Sequence, residues 1–264
     1  MERISRSQRI QRILTIIREK GSARTDELAG SLGVSMVTVR RDLKHLQEAG
    51  RIVIGYGFVK LLESDLTESA DFNKRLSSNR EEKQKLAVAA IQFVEEGDVI
   101  FLDESSTCYV LALNLIRSFN NLHIITNAVH TLQALSRSRG FTVESSGGSL
   151  QYGFNSLVGP RAEETLRSIY ANKFFFSCRA FKLREGTFEL SPFSASIKRI
   201  MLENSEENYL LMDHTKLGTI SPFPFAKTQE IHNVITDRDQ PGLPHGKVKR
   251  IIISQSSSGE ISER

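Results

Sequence analysis

The sequence predicts an α/β protein in two parts, an N-terminal winged helix-turn-helix followed by a mostly parallel α/β domain. Three observations lead there. Residues 1–51 gather Arg3, Arg6, Arg9, Arg12, Arg18, Lys20, Arg24, Arg40, Arg41, Lys44 and Arg51 against few acids, on a pattern of short helices. From about residue 81, apolar runs bounded by turn residues alternate with helical stretches, the texture of βαβ units. The 264 residues are too many for one small module and suit a compact domain with an appendage.

A first helix is predicted from about Ser7 to Lys20, with Ile10, Ile13, Leu14 and Ile17 on one face and Gly21 placed to stop it. Thr25 can cap a short second helix carrying Leu28, Ala29 and Leu32, and Gly33 makes the turn. Ser35 caps a third helix that ends before Gly50. In it Val39, Leu43 and Leu46 fall on the core side at i, i+4 and i+7. At about 100° per residue, Val37, Arg41, Lys44, His45 and Glu48 project oppositely, flanked by Thr38 and Arg40. A basic helical face alone is most often merely solvated. Here it sits in a tri-helical layout, and "RIVIGYGFVKLLE" adds two short apolar strands around Gly55-Tyr56-Gly57, suited to a wing. The arginines are therefore expected to face DNA.

"LLESDLTESADFNKRLSSNREEKQ" is polar and reads as a linker that turns helical near its end. Helices are predicted at "EEKQKLAVAAIQFV", "TCYVLALNLIRSF" and "AVHTLQALSRS". Strands are predicted at "DVIFLD", "LHIITN", "FTVESSGG", "NKFFFSC", "NYLLMD", "NVITD" and "KRIIIS". The expected boundaries are 1–62 for the winged helix-turn-helix, 63–80 for the linker, 81–254 for the α/β domain and 255–264 for a flexible tail.

Composition bounds the function. Hydrophobic residues make up 39% and charged residues 25%, a mixture able to bury a core, and a net charge of +4 permits nucleic acid without requiring it. Cys108 and Cys178 show no close metal-type spacing and imply no disulfide framework, so neither a metal nor a cofactor is expected. No stretch approaches the length of a membrane span, and "MERISRSQRIQRIL" is unlike a signal peptide. The expectation is a cytoplasmic protein with no membrane partner.

"TDELAGSLGVSMVTVRRDLKHLQEAGRI" resembles the DeoR-type transcriptional regulators, whose hallmark is the run V-S-x-x-T-[IV]-R-R-D-L-x-x-L-x-x-x-G. Val34, Ser35, Thr38, Val39, Arg40, Arg41, Asp42, Leu43, Leu46 and Gly50 match it. The resemblance implies that Ser35, Thr38 and Arg41 contact double-stranded operator DNA, with Met36, Val37, Arg40 and Lys44 beside them. Ser35 and Thr38 suit phosphate, Arg41 phosphate or guanine, and Val37 a thymine methyl. Asp42, which DNA would repel, is expected to brace an arginine. The wing departs from the family pattern: Ile54 stands where an Arg is usual, and Phe58-Val59 replaces a Gly-Ala. Arg51, Tyr56 and Lys60 remain as candidates there, or the apolar wing packs on its neighbour.

The likeness continues through residues 72–237. Phe72, Arg75, Lys85, Ala87, Ala90 and "EEGDVIFLDESST" resemble the DeoR-type sensor domain, which itself resembles the ribose-5-phosphate isomerase A fold. The resemblance implies a phosphorylated sugar held where a strand, Val99 to Asp103, meets a hydroxyl-rich loop and a helix. Hydroxyls and free amides at a helix N-terminus suit phosphate on physical grounds too, although a Ser/Thr cluster before a helix is usually only a cap. Asp103, Ser105, Ser106, Thr107, Thr126, Asn127, Gly148 and Lys216 are the candidate ligand residues, with Gly147, Gly159, Pro160 and Asp213 as further landmarks. Departures occur here as well. Ser105 replaces a usual Gly, Glu104 adds a negative charge, the segment around Ala180 lacks a common Gly, and Ser194 replaces a frequent acid. Arg179 and Lys182 are candidates for compensating charge.

Two functions compete. The first is a DNA-binding regulator, expected to be a repressor of carbohydrate genes, released from its operator by a phosphorylated sugar and acting as a homodimer or homotetramer. The alternative is a sugar-phosphate isomerase with an accessory DNA-binding module. That chemistry needs a carboxylate base beside the substrate carbon. The acidic D-G-A-D-E type run and K-G-G-G-A type loop of that family are both missing from the sequence, so no enzyme activity is expected.

Overall fold

The computed structural model describes residues 5–20, 23–48, 52–55, 58–61, 72–151, 153–239, 241–254 and 261–263. The chain divides into two compact units, Met1–Asp71 and Phe72–Arg264.

The first unit holds α1 (Arg6–Lys20), β1 (Ala23–Arg24), α2 (Thr25–Leu32), α3 (Met36–Glu48), β2 (Ile52–Gly55) and β3 (Phe58–Leu61). Helix α1 starts on a reciprocal cap: Gln8 N–H donates to Ser5 Oγ at 3.2 Å and Ser5 N–H to Gln8 Oε1 at 3.0 Å. Gly33 ends α2 at φ 62°, a left-handed conformation that only glycine adopts without strain, and the chain turns into α3. Ile13, Ile17, Leu28, Val39, Leu43 and Leu46 bury a common core with Ile52 and Val59 of the hairpin. The three strands pair antiparallel in the order β1-β3-β2, with Ile54 opposite Val59. This is the predicted winged helix-turn-helix. Gly21, Gly50, Arg51, Tyr56 and Gly57, invoked above, lie outside the described residues.

The second unit opens with α4 (Phe72–Ser77) and α5 (Arg80–Ala90). There follow β4 (Val99–Leu102), α6 (Ser106–Ser118), β5 (His123–Thr126), α7 (Val129–Leu135), β6 (Thr142–Ser145), β7 (Ser149–Gln151), β8 (Ser156–Val158) and α8 (Pro160–Arg167). Next come β9 (Ala171–Phe176), β10 (Ala180–Lys182), β11 (Gly186–Glu189), α9 (Pro192–Glu203), β12 (Ser205–Met212), β13 (Phe223–Ala226), β14 (Asn233–Thr236), β15 (Arg250–Ser254) and β16 (Ile261–Glu263). Among the described residues, eight strands form one sheet in the order β16-β15-β14-β12-β9-β4-β5-β6, parallel throughout except for β16.

Strand alternation supplies two cores. Ile100, Leu102, Ile124, Phe175, Tyr209 and Leu211 face α5 and α6, while Phe101, Ile125, Phe174, Phe176, Leu210 and Met212 face α8 and α9. Both faces are covered, which is why these strands read as continuous apolar runs. Among the described residues, no helix is long and apolar enough to cross a membrane.

Two boundary expectations need correction. Residues 72–80 are not linker: Phe72 is buried, its ring stacked on His130 at 4.1 Å and edge-on to Tyr109 at 5.2 Å, so α4 is anchored in the second unit. Nor is the tail free throughout, because residues 261–263 pair antiparallel with β15 and satisfy part of an otherwise open sheet edge.

Candidate functional site

Helix α3 presents the surface that the sequence reading assigned to DNA. Val39, Leu43 and Leu46 are buried, while Val37 is 69% exposed and Arg40, Arg41 and Lys44 are exposed with it. Thr38 is half-buried, and its hydroxyl lies 2.9 Å from that of Ser35, whose oxygen also accepts the Thr38 N–H at 3.3 Å. The pair closes the helix N-terminus and leaves exposed oxygens beside it. Met36 is half-buried too and packs on the core. Asp42 turns inward. Its carboxylate accepts from Arg9 Nε at 2.8 Å and Nη2 at 3.3 Å, with Arg6 Nε at 3.5 Å. The acid next to Arg41 in sequence is thus held off the basic surface by two arginines of α1.

In the second unit, strand order reverses between β4 and β9: β5 and β6 lie to one side, β12, β14 and β15 to the other. At such a switch point the loops leave in opposite directions and open a crevice at the carboxyl ends of the strands. The predicted residues cluster there. Asp103 follows β4, Thr126 ends β5 and Asn127 follows it, Ser177 follows β9, and Asp213 to Lys216 follow β12. Asp103 accepts from the backbone N–H of Ser105 at 2.9 Å and of Ser177 at 2.8 Å, and the Ser177 hydroxyl is bonded to Lys216. Asn127 Nδ2 donates to Glu104 at 3.4 Å. Three of the eight candidates, Asp103, Ser105 and Lys216, thereby join one network with Ser177, and a fourth, Asn127, pairs with Glu104 beside it.

Others have local tasks. Ser105 caps α6, its hydroxyl accepting the Cys108 N–H at 3.0 Å, and Thr126 Oγ1 accepts from Ala128 N–H at 3.1 Å. Ser106 and Thr107 are buried in the first turn of α6. Gly148, at φ 100°, sits where a Cβ would come within 2.5 Å of the Val158 carbonyl oxygen, so backbone packing accounts for it and no bond ties it to the cluster.

The sequence reading missed the central cation. Lys198 of α9 is 2% exposed; its ammonium contacts Asp103 at 3.0 Å, the Ser177 carbonyl at 2.9 Å, Glu104 at 3.9 Å, and Glu189. It takes the place proposed for Arg179 and Lys182, which are exposed, Lys182 pairing instead with Glu185 at 3.2 Å. Ser191 as cap and Pro192 at the first helical position, followed by Ile197, Ile200 and Met201, are the signals that would have found α9. Burial pushes the Asp103 carboxyl up, but Lys198 and the Ser105 and Ser177 bonds hold it below its ordinary value. Glu104 moves the other way, raised by burial and by the charges of Asp103 and Glu189 against Lys198. Burial also opposes the Lys198 charge, yet the three surrounding carboxylates raise its pKa well above the ordinary range.

A second cationic group borders the crevice. Lys83 of α5 is buried and donates to the carbonyls of Arg75 and Ser78, and burial, with Lys216 and Arg75 nearby, lowers its pKa to about 8. Asp213 lies 3.8 Å from Lys216 and accepts from Asn79 at 3.2 Å. The Nε and Nη2 atoms of Arg75 are buried without a hydrogen-bond partner. Lys83 sits in register with the buried Leu86, Ala87 and Ala90, the sequence signal that it points inward. Among the described residues, no group of three His, Cys, Asp or Glu side chains is placed to hold a metal.

A winged helix-turn-helix with a basic outer helix, carried on an open α/β domain with a polar crevice at its switch point, defines a DNA-binding regulator with an attached sensor. Family comparison makes this specific. Residues 9–65 match the DeoR-like helix-turn-helix domain and residues 78–238 the DeoR C terminal sensor domain. The chain belongs to the DeoR family of transcriptional regulators. It is 30% identical to the L-fucose operon activator of Escherichia coli (strain K12), across 88% of this chain and 95% of that one. It is 29% identical to the lactose phosphotransferase system repressor of Staphylococcus aureus (strain NCTC 8325 / PS 47), across 89% and 93%. Among solved structures it is similar to ribose 5-phosphate isomerase A from Methanocaldococcus jannaschii, with 18% identity, 53% of this chain and 55% of that one covered, and a TM-score of 0.40.

Proposed function

We propose that this regulator is a repressor of carbohydrate genes that leaves its operator when a phosphorylated sugar enters the switch-point crevice. The observation that carries the reading is the gathering of Lys83 and Lys216 beside Asp213, with Arg75 next to Lys83. An arginine with two buried nitrogens that make no hydrogen bond and a lysine with a depressed pKa both gain from an arriving dianion. The relatives named for a fucose operon and a lactose phosphotransferase system support a sugar as the signal. One winged module covers too little DNA for tight specific binding, which supports a homodimer or homotetramer reading two half-sites.

The acidic run and the loop missing from the sequence weigh against the isomerase alternative, as does the pairing of two crevice carboxylates. Asp103 and Glu189 are bonded to Lys198, and Asp103 also accepts two backbone N–H groups, so neither is poised as a base.

Calorimetry with a panel of hexose and pentose phosphates tests the reading. A phosphorylated sugar should bind while its unphosphorylated parent does not, and Lys216→Ala should lose about tenfold or more in affinity for it. The same variant should hold operator DNA as the wild type does yet fail to release it. Coupling is reciprocal, so operator DNA should weaken effector binding by the factor by which effector weakens DNA binding. If no phosphorylated sugar binds, or Lys216→Ala responds as the wild type does, the reading falls.

Binding should also depend on pH. Lys83 is protonated below a pKa of about 8 and loses its charge above it, facing Arg75, Lys216, Asp213 and Glu82. Affinity for an amine-free sugar phosphate should therefore decline between pH 7 and 9, and Lys83→Met should flatten that decline.

A further inference from the structure

Glu104 shares the Lys198 cation with two other carboxylates and makes no hydrogen bond to it. The Lys198 ammonium has three N–H donors, and Ser177, Asp103 and Glu189 engage all three. Glu104 stands 3.9 Å from that nitrogen, beyond hydrogen-bond reach. Its side chain meets the Asn127 carboxamide at 3.4 Å, a long contact, and its own backbone N–H. Around one ammonium there are thus three carboxylates, all nearly or wholly buried.

Asn127 adds an independent observation. It is fully buried, and its Oδ1 has no donor. The orientation of the amide is fixed, because Nδ2 donates to the Leu157 carbonyl at 3.3 Å as well as to Glu104, and reversing it would set oxygen against oxygen. The two residues in this contact thus hold two buried acceptors, one of them formally anionic, and Asn127 Oδ1 has no donor. Carboxamide geometry keeps Oδ1 about 2 Å from Nδ2, hence within roughly 6 Å of the Glu104 oxygen, a span that one N–H-bearing group can bridge.

We infer that the effector carries a primary ammonium group, received by Glu104 and Asn127, in addition to its phosphate; the inference rests on the phosphorylated-sugar reading given above. The ligand class is an amino-sugar phosphate. A hydroxyl would supply a donor to Asn127 Oδ1 and leave the surplus charge in place. Protonating Glu104 would remove the charge and leave Asn127 Oδ1 unsatisfied, since the amide turns its nitrogen, not its oxygen, toward Glu104. An ammonium meets both needs. Burial of Glu104, which disfavours its charge while unpaired, adds to the gain when a cation arrives.

The experiment is calorimetry on the full-length protein with matched pairs: glucosamine 6-phosphate against glucose 6-phosphate, galactosamine 6-phosphate against galactose 6-phosphate, and the N-acetylated form of each amine. The amine member of at least one pair should bind about tenfold or more tighter than its hydroxyl and N-acetyl counterparts. Glu104→Gln should bring the affinities of the amine and hydroxyl members of a pair within about twofold of each other. Should Glu104→Gln fail to fold, the three-way comparison in the wild type decides alone. Equal affinity within every pair, or preference for the hydroxyl or N-acetyl form, overturns the ammonium site and leaves the phosphate reading standing. Failure of every phosphorylated sugar to bind overturns both.

Discussion

Replacing Lys198 by methionine is expected to lower the stability of the second unit by about 3–5 kcal/mol, a fall in Tm of roughly 10 °C. The side chain keeps its length, so packing against Phe225 and the α9 core changes little. What changes is electrostatic: Asp103, Glu104 and Glu189 lose the charge that faces all three. Breaking a buried ion pair by removing one partner is far more costly than replacing both. The pH dependence distinguishes this cause from a packing defect. In the variant the buried carboxylates titrate above their unfolded values, so the native state binds more protons than the unfolded state. Stability then falls as pH rises, and the deficit should shrink between pH 7 and pH 5. A packing defect would give the same deficit at both. Thermal unfolding of wild type and variant across that range is the measurement.

Arg41→Ala is expected to weaken operator binding by about 1–3 kcal/mol if the guanidinium reads a base, with specificity relaxed at that position. If it holds phosphate instead, the loss should be uniform across sequences, and the slope of log K against log salt should fall by about one. Its exposure opposite buried Val39, Leu43 and Leu46 means that the fold does not depend on it. Gel-shift titrations at several salt concentrations measure both quantities; unchanged affinity and slope would remove Arg41 from the interface.

Local chemistry made much of this molecule legible. The Ser35 cap, the Gly33 turn and the spacing of Val39, Leu43 and Leu46 each act within a few residues, and α3 follows from them. The buried strands were equally plain, because apolar residues on both faces give continuous runs such as Phe174 to Phe176. The hairpin of β10 and β11, the edge strand β16 and the amphipathic α9 went unread. The two hairpin strands and β16 are only three or four residues long, and β16 gains its partner from β15 rather than from its own pattern. The central site was half legible for the same reason. Asp103 to Thr107 form a local strand-loop-helix unit, whereas Lys198 reaches Asp103 only through sheet topology. Spacing along the chain carries no trace of that meeting.

The order of synthesis gives the switch-point crevice a consequence in time. Its walls come from residues 103, 127, 177 and 213, so it exists only once β12 and the turn after it have been made. The helix-turn-helix is finished by residue 61. At about 5–20 residues per second, roughly 8–30 s separate the two events on the ribosome. During that interval, and permanently in any chain broken off before Asp213, the helix-turn-helix is present without the switch-point crevice.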